Sequence, residues 1–290
     1  MIFINREEVD SIVDPEGLLR DIRDTYLSNH MAFERVSSTI GDTWIGVMRG
    51  YLRNLGFLVK IVGVYPRASP RVKGVVVVID IDTGDVRAII DGYSLTGWRT
   101  ACASALAHEI MGGRDIEVLG IIGAGTQARY HLEVFTRLYR IGRIVISSRT
   151  QERVHSLSRE YGAEILPLEE LNRRATTIVA ATNSLEPVVR GDLLRTGSIV
   201  ISVGAPKPVR ELDKRVSERA GCALVDTRKG VLEESEDVEG IELVELGEAL
   251  RGRSCRFREI KLYKSVGTST LDLAGAYHII RRKQSSLLKE

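Results

Sequence analysis

The middle of the chain most limits what it can fold into. There "LGIIGAGTQARYHLEVF" runs an apolar stretch into a glycine turn and then into a helical stripe. The turn reads Gly123-Ala124-Gly125-Thr126-Gln127-Ala128, a GxGxxA pattern. Alone it is a weak signal. After a strand, before a helix and within a strand–helix–strand unit, it marks a dinucleotide-binding turn. Gly123 permits the tight bend, Gly125 lets a pyrophosphate approach the backbone, and Ala128 keeps the helix close to the sheet. The helix start offers free N–H groups and the positive end of the helix dipole to the phosphates. The competing reading is a glycine turn that merely joins two elements.

The sequence around this turn has a parallel-sheet rhythm. Strands are expected at Glu117–Ile122, Arg143–Ser147, Glu164–Leu166, Thr177–Ala181, Ser198–Val203 and Ala223–Asp226, with helical or polar segments between them. Such alternation predicts a parallel sheet covered on both faces. The earlier sequence differs. Asp14-Pro15-Glu16 is a helix start, with a cap, a proline in the first turn and an acid. Phe57–Val64 and Gly74–Ile81 are strand-like, and Asp82-Thr83-Gly84-Asp85 turns the chain into Val86–Ile90. Thr100–Met111 is a helix of small residues, and Leu271–Arg282 is again helical. Glu233–Glu239 reads as an acidic surface stretch. The fold class is therefore α/β, a Rossmann NAD(P)-binding domain plus a second, α+β domain.

Arg149 stands 24 residues after Gly125, where the second strand of the unit ends. An acid at that place would receive the ribose 2′-hydroxyl of NAD, whereas an arginine suits a 2′-phosphate. A guanidinium grips phosphate with two donors in one plane, and Ser148 and Thr150 add neutral hydroxyls. The cofactor expected is NADP(H) in preference to NAD(H). The alternative is a solvated arginine at a helix start that Thr150 caps. Thr182, Val203 and Gly204 follow strands that should end on the same side, and are expected to line the nicotinamide half.

Composition closes off other classes. The 290 residues are 43% hydrophobic and 28% charged, with net charge +2. That balance gives no support for nucleic-acid binding. No apolar run approaches the roughly 20 residues of a membrane helix, and the N-terminus carries no signal-peptide pattern. Cys102, Cys222 and Cys255 are odd in number and far apart, which argues against a disulfide framework or a zinc site. The five histidines lack metal-ligand spacing. A soluble cytoplasmic protein without metal is the expectation.

Several stretches together resemble the ornithine cyclodeaminase/mu-crystallin family. They are "VKIVGVYP", "DGYSLTGWRTACASALA", "GIIGAGTQA", "ISSRT", "SVGAPKPVRELD" and "YKSVGTSTLDLAGA", in the family's order and over most of the chain. The resemblance implies a substrate-binding and dimerisation domain, 1–113 completed by 268–290, and a Rossmann domain, 114–267. It implies a homodimer paired through the first domain's sheet. Family activities include ornithine cyclodeamination, alanine dehydrogenation and reduction of cyclic ketimines. In the family, residues matching Arg35, Lys60 and Arg99 surround the carboxylate of an amino or imino acid. Arg99, Thr100 and Gly267, within these stretches, complete the expected cofactor-contacting set.

One departure narrows the reading. Where ornithine cyclodeaminases and the family's alanine dehydrogenases carry an aspartate, this sequence has Pro206. Between Asp42 and Lys60 there is no acid to anchor a distal ammonium. An ammonium among three cations would be disfavoured, so ornithine fits poorly. The expected function is NADPH-dependent reduction of a small cyclic ketimine, or of a 2-imino or 2-keto acid, to an L-amino acid, with Lys60 as proton carrier. The alternatives are an ornithine cyclodeaminase or alanine dehydrogenase, and a non-catalytic NADPH-dependent binding protein.

Overall fold

The computed structural model describes residues 1–113 and 115–287. It divides into two compact units, Met1–Cys102 with Thr268–Glu290, and Ala103–Gly267.

The first unit is a mixed sheet with helices. Its strands are β1 (Ile2–Ile4), β2 (Met31–Ala32), β3 (Val36–Ile40), β4 (Thr43–Leu52), β5 (Gly56–Val64), β6 (Val72–Ile79) and β7 (Val86–Asp91). They run in the order β1-β7-β6-β5-β4-β2, with β3 also on β4. Only β1 is parallel to its neighbour, β7; the other pairs are antiparallel. Helix α1 (Arg6–Ile12) opens on a reciprocal Asn5–Glu8 capping box. Helix α2 (Pro15–Leu27) starts as expected, with Asp14 accepting from the Gly17 N–H and Pro15 in the first turn. The β6–β7 turn is held by Asp80, whose side chain accepts from the N–H groups of Asp82 and Thr83.

The pleat gives this sheet two distinct faces. Met48, Lys60, Val76 and Ile90 share one row across β4–β7 and are buried. The C-terminal helix, α10 (Ser269–Leu287), packs against β4, β5 and α2. The opposite face carries Val47, Ile61, Val75, Val59, Val77 and Ile89 in adjoining rows. These apolar side chains are half-buried, and Ile61 is 44% exposed.

Helix α3 (Gly92–Met111) begins eight residues before the expected Thr100. Its start is set by Asp91, whose carboxylate accepts from the Ser94 N–H. The break between the two units falls within this helix.

The second unit is built on eight strands, all parallel: β8 (Asp115–Ile122), β9 (Arg140–Ser147), β10 (Glu164–Ile165), β11 (Thr177–Ala180), β12 (Ile199–Ser202), β13 (Cys222–Val225), β14 (Glu242–Glu245) and β15 (Lys261–Lys264). Their order is β10-β9-β8-β11-β12-β15-β13-β14. The connecting helices are α4 (Thr126–Leu138), α5 (Gln151–Tyr161), α6 (Leu168–Arg174), α7 (Lys214–Ala220), α8 (Arg228–Glu234) and α9 (Leu246–Leu250). From β8 the chain winds outward through β9 and β10, then crosses to β11 on the other side of β8. The strand order thus reverses at β8/β11, where open α/β sheets bind their ligands. The core is aliphatic, with Ile122, Val145, Ile178, Val200, Leu224 and Leu262 buried.

Three expectations are corrected here. Strands β14 and β15 were not foreseen: "KLYK" has a charge at each end, yet β15 sits between β12 and β13 with Lys264 fully buried. Cys222 and Cys255 form a disulfide, with Cα atoms 5.8 Å apart. Their separation of 33 residues hides the fact that the segment after α9 returns beside β13. The stretch Glu233–Glu239 is not all surface, because Asp237 is 2% exposed. Among the described residues no helix is long and apolar enough to cross a membrane.

Candidate functional site

In the first unit, Lys60 rises from the buried row of β5 with no exposed surface. An unpaired ammonium there would be strongly disfavoured. Asp272, in the first turn of α10, supplies the counter-charge: Lys60 Nζ donates to Asp272 Oδ1 at 2.8 Å. Arg99 Nε, from α3, donates to the same oxygen at 3.1 Å. All three side chains are buried. Arg35, half-buried, lies over the Trp44 ring with its guanidinium carbon 5.5 Å from the centroid. Its charge acts on both Lys60 and Asp272. Arg35, Lys60 and Arg99 thus gather around one carboxylate.

The electrostatics follow from these distances. The Lys60 ammonium is lowered to about 8 as the net of opposing influences: burial pushes it down most, Asp272 pulls it up, and Arg99 and Arg35 push it down. Burial works to raise the Asp272 carboxyl, but Lys60, Arg99 and Arg35 outweigh it and hold it below the usual range. The expectation of a purely cationic pocket is therefore corrected, since Asp272 stands in its centre. The expectation failed because Asp272 lies 212 residues from Lys60 in the chain. Two donors remain: among the described residues the Nη groups of Arg99 make no hydrogen bond. One acceptor also remains, since Asp272 Oδ2 is buried with no partner among the described residues.

In the second unit the expected cofactor residues gather at the carboxyl ends of the strands. Gly123, after β8, has φ 113°, a conformation L side chains rarely adopt. A Cβ there would meet the Ala181 carbonyl at 2.5 Å. Gly125 caps α4, and a Cβ on it would meet nothing within 4 Å, so space opens over the helix start. Ala124 and Thr126 flank it. The Gln127 Oε1 atom is buried without a partner among the described residues. A bare helix start beneath open space fits a pyrophosphate. Arg149 is exposed just past β9, with no ion pair among the described residues. Thr150 is the N-cap residue of α5, but its side chain makes no capping bond; Ser148 Oγ accepts from the Thr150 N–H at 3.3 Å.

Thr182, Gly204 and Gly267 are held by acids the sequence did not single out. Glu211 is fully buried. Its Oε1 accepts from the Thr182 N–H at 2.6 Å and hydroxyl at 2.8 Å; its Oε2 accepts from Ser202 Oγ at 2.7 Å and the Gly204 N–H at 2.8 Å. Lys264 Nζ donates to Asp237 Oδ2 at 2.7 Å, the Gly204 carbonyl at 2.7 Å and Ser202 Oγ at 2.9 Å. Asp237 Oδ1 accepts from the Glu211 and Leu212 N–H groups. A Cβ on Gly204 would strike Glu211 at 2.5 Å. Asp226 Oδ2 accepts from the Gly267 N–H at 2.6 Å and from Ser265 Oγ at 2.7 Å. Val203 continues the sheet, its N–H on the Ala180 carbonyl. Thr100, in α3, belongs to the first unit, and its hydroxyl donates to the Thr96 carbonyl. Among the described residues no cluster could hold a metal ion.

Comparison with known proteins points one way. The model of the ornithine cyclodeaminase/mu-crystallin family matches residues 18–286. The chain is 31% identical over 217 residues to ketimine reductase mu-crystallin of Mus musculus, covering 72% of this chain and 69% of that protein. It is 31% identical over 229 residues to Delta(1)-pyrroline-2-carboxylate reductase 1 of Burkholderia multivorans, covering 74% and 73%. Among solved structures it resembles Thermococcus litoralis Delta(1)-pyrroline-2-carboxylate reductase in complex with NADH and L-proline, with TM-score 0.90, 26% identity and coverage of 99% and 98%.

The Lys264–Asp237 pair yields a stability prediction. Asp237→Ala removes the counter-charge of a fully buried lysine and should cost about 3–5 kcal/mol. Urea denaturation of the variant beside the parent protein measures this.

Proposed function

The chain belongs to the ornithine cyclodeaminase/mu-crystallin family, and we propose that it is an NAD(P)-dependent reductase converting a small ketimine or 2-imino acid, foremost a cyclic ketimine carboxylate, to an L-amino acid. The observation that carries this reading is the buried Lys60–Asp272–Arg99 cluster with Arg35 beside it. It combines a guanidinium with free donors and a lysine poised to lose its proton near pH 8.

Each residue has a task. The two Nη groups of Arg99 form a fork that suits the substrate carboxylate, with Arg35 adding charge. Lys60 Nζ gives a proton to the imine nitrogen. The nicotinamide, when bound, supplies the hydride that C2 gains. One C–N π bond is lost, and C–H and N–H bonds form. Fixing the substrate's orientation lowers the barrier further. The glycine turn and the start of α4 would hold the pyrophosphate, and Arg149 with Ser148 and Thr150 the 2′-phosphate of NADP(H), the preferred cofactor over NAD(H).

Dimerisation is part of the proposal. The uncovered apolar face through Val47, Ile61, Val75 and Val77 suits a second copy of the same sheet. Light scattering should give twice the chain mass; a monomer at micromolar concentration overturns this.

The test of activity is a cofactor-oxidation screen over cyclic imino acids and 2-keto acids, with and without amines. Reduction of pyrroline- or piperideine-2-carboxylate supports the proposal. Release of ammonia from ornithine, which leaves the cofactor unchanged overall, favours a cyclodeaminase; reduction of pyruvate only with ammonia favours an alanine dehydrogenase. A retained cofactor with no turnover favours a binding protein. Lys60 is protonated below about pH 8 and neutral above it. Reduction needs the ammonium, so its rate should fall as pH rises through 8, whereas amino-acid oxidation should gain.

Cofactor choice is tested separately. Arg149→Asp should weaken NADPH about 10- to 100-fold, the range for lost charged hydrogen bonds, and leave NADH little changed. Equal loss in fluorescence titrations with both cofactors rejects the 2′-phosphate role.

A further inference from the structure

We propose that Asp272 is a positioning residue for this reaction, a carboxylate that ties Lys60 to Arg99 and keeps the proton on Lys60 at neutral pH. The proposal rests on the reading of Lys60 as proton donor. The sequence analysis gave Asp272, within the stretch "YKSVGTSTLDLAGA", no role, yet it occupies the centre of the cluster.

The geometry assigns this role. A single oxygen, Oδ1, accepts from both Lys60 Nζ and Arg99 Nε, at 2.8 and 3.1 Å. Three elements distant in sequence, β5, α3 and α10, therefore fix their functional side chains against one atom. The other oxygen is buried and has no partner among the described residues. A fold that needed only a tie between helix and strand would be served as well by apolar packing. A half-used buried carboxylate has another purpose.

That purpose follows from the charges facing Lys60. The neighbouring strands place Met48 and Val76 beside it, both apolar. Helix α3 presents Arg99, and Arg35 acts from the segment before β3. Burial and both arginines drive the proton off Lys60; the Asp272 charge opposes them. With Asp272 neutralised, every remaining influence disfavours the ammonium. Lys60 would then be largely deprotonated at neutral pH and unable to donate.

The prediction is directional. In Asp272→Asn the alkaline limb of the reductive rate should move from near pH 8 to below pH 7. At pH 7 reduction should fall about twofold or more, as the protonated fraction of Lys60 drops below one half, while oxidation of the amino acid, which uses neutral Lys60, should hold or rise. NADPH affinity by fluorescence titration should stay within about twofold. Asp272→Glu, which keeps the charge, should restore the limb. Equal loss in both directions with an unmoved limb overturns the proposal and leaves Asp272 as a structural tie. A second measurement is independent of turnover. Proteins labelled with 13C at lysine Cε are titrated by NMR, with Lys60→Arg assigning the signal. A Lys60 midpoint near 8 in the parent and below 7 in Asp272→Asn supports the proposal even if no imino acid is reduced. Identical midpoints reject it. Should Asp272→Asn fail to fold, a Lys60 midpoint in Asp272→Glu that drops below 7 although the charge is kept also rejects it.

Discussion

The first unit depends on a buried carboxylate bound to two cations. Lys60 lies in the row that packs against the helices, where the sheet alone offers it Met48, Val76 and Ile90. A bare ammonium there would shed its proton or unfold its surroundings. Asp272 makes the position tolerable, and it does so from the opposite end of the chain. The discontinuity of this unit is therefore part of its chemistry: the C-terminal helix delivers the one charge that the sheet and α3 require.

The second unit solves a related problem in a different way. Its strands end in backbone turns whose N–H and C=O groups must be satisfied. Glu211 accepts from the turns after β11 and β12, Lys264 anchors Gly204 and Asp237, and Asp226 secures the turn after β15. Together these side chains tie down the loops that the sequence led one to expect around the nicotinamide half. The supporting layer is buried: Lys264 pairs with Asp237, while Glu211 and Asp226 accept from backbone N–H and hydroxyl groups, as a low-dielectric interior demands.

The glycine turn was legible because its residues are fixed by local geometry. Gly123 needs positive φ, and Gly125 leaves open space above a helix start. The parallel rhythm from β8 to β13 was legible for the same reason, since period and turn residues are local signals. What escaped was non-local. Asp272 looks like any helix-start acid until β5 and α3 are folded against it. Asp237 sat in a run of acids that reads as surface. "KLYK" carries charges that hide a central strand, because its second lysine finds its acid 27 residues away. Cys222 and Cys255 meet only after β13 and the return from α9 are in place. In each case the partner that makes a buried polar group affordable lies far along the chain.

The separation of Arg99 and Asp272 by 173 residues bears on how the molecule is made. A ribosome releases the sheet, α3 and the whole Rossmann unit before Asp272 emerges. The Rossmann unit, continuous in sequence, can fold during synthesis. The first unit must wait with Lys60 and Arg99 lacking their counter-ion, and so completes its architecture only after the Rossmann unit has been made.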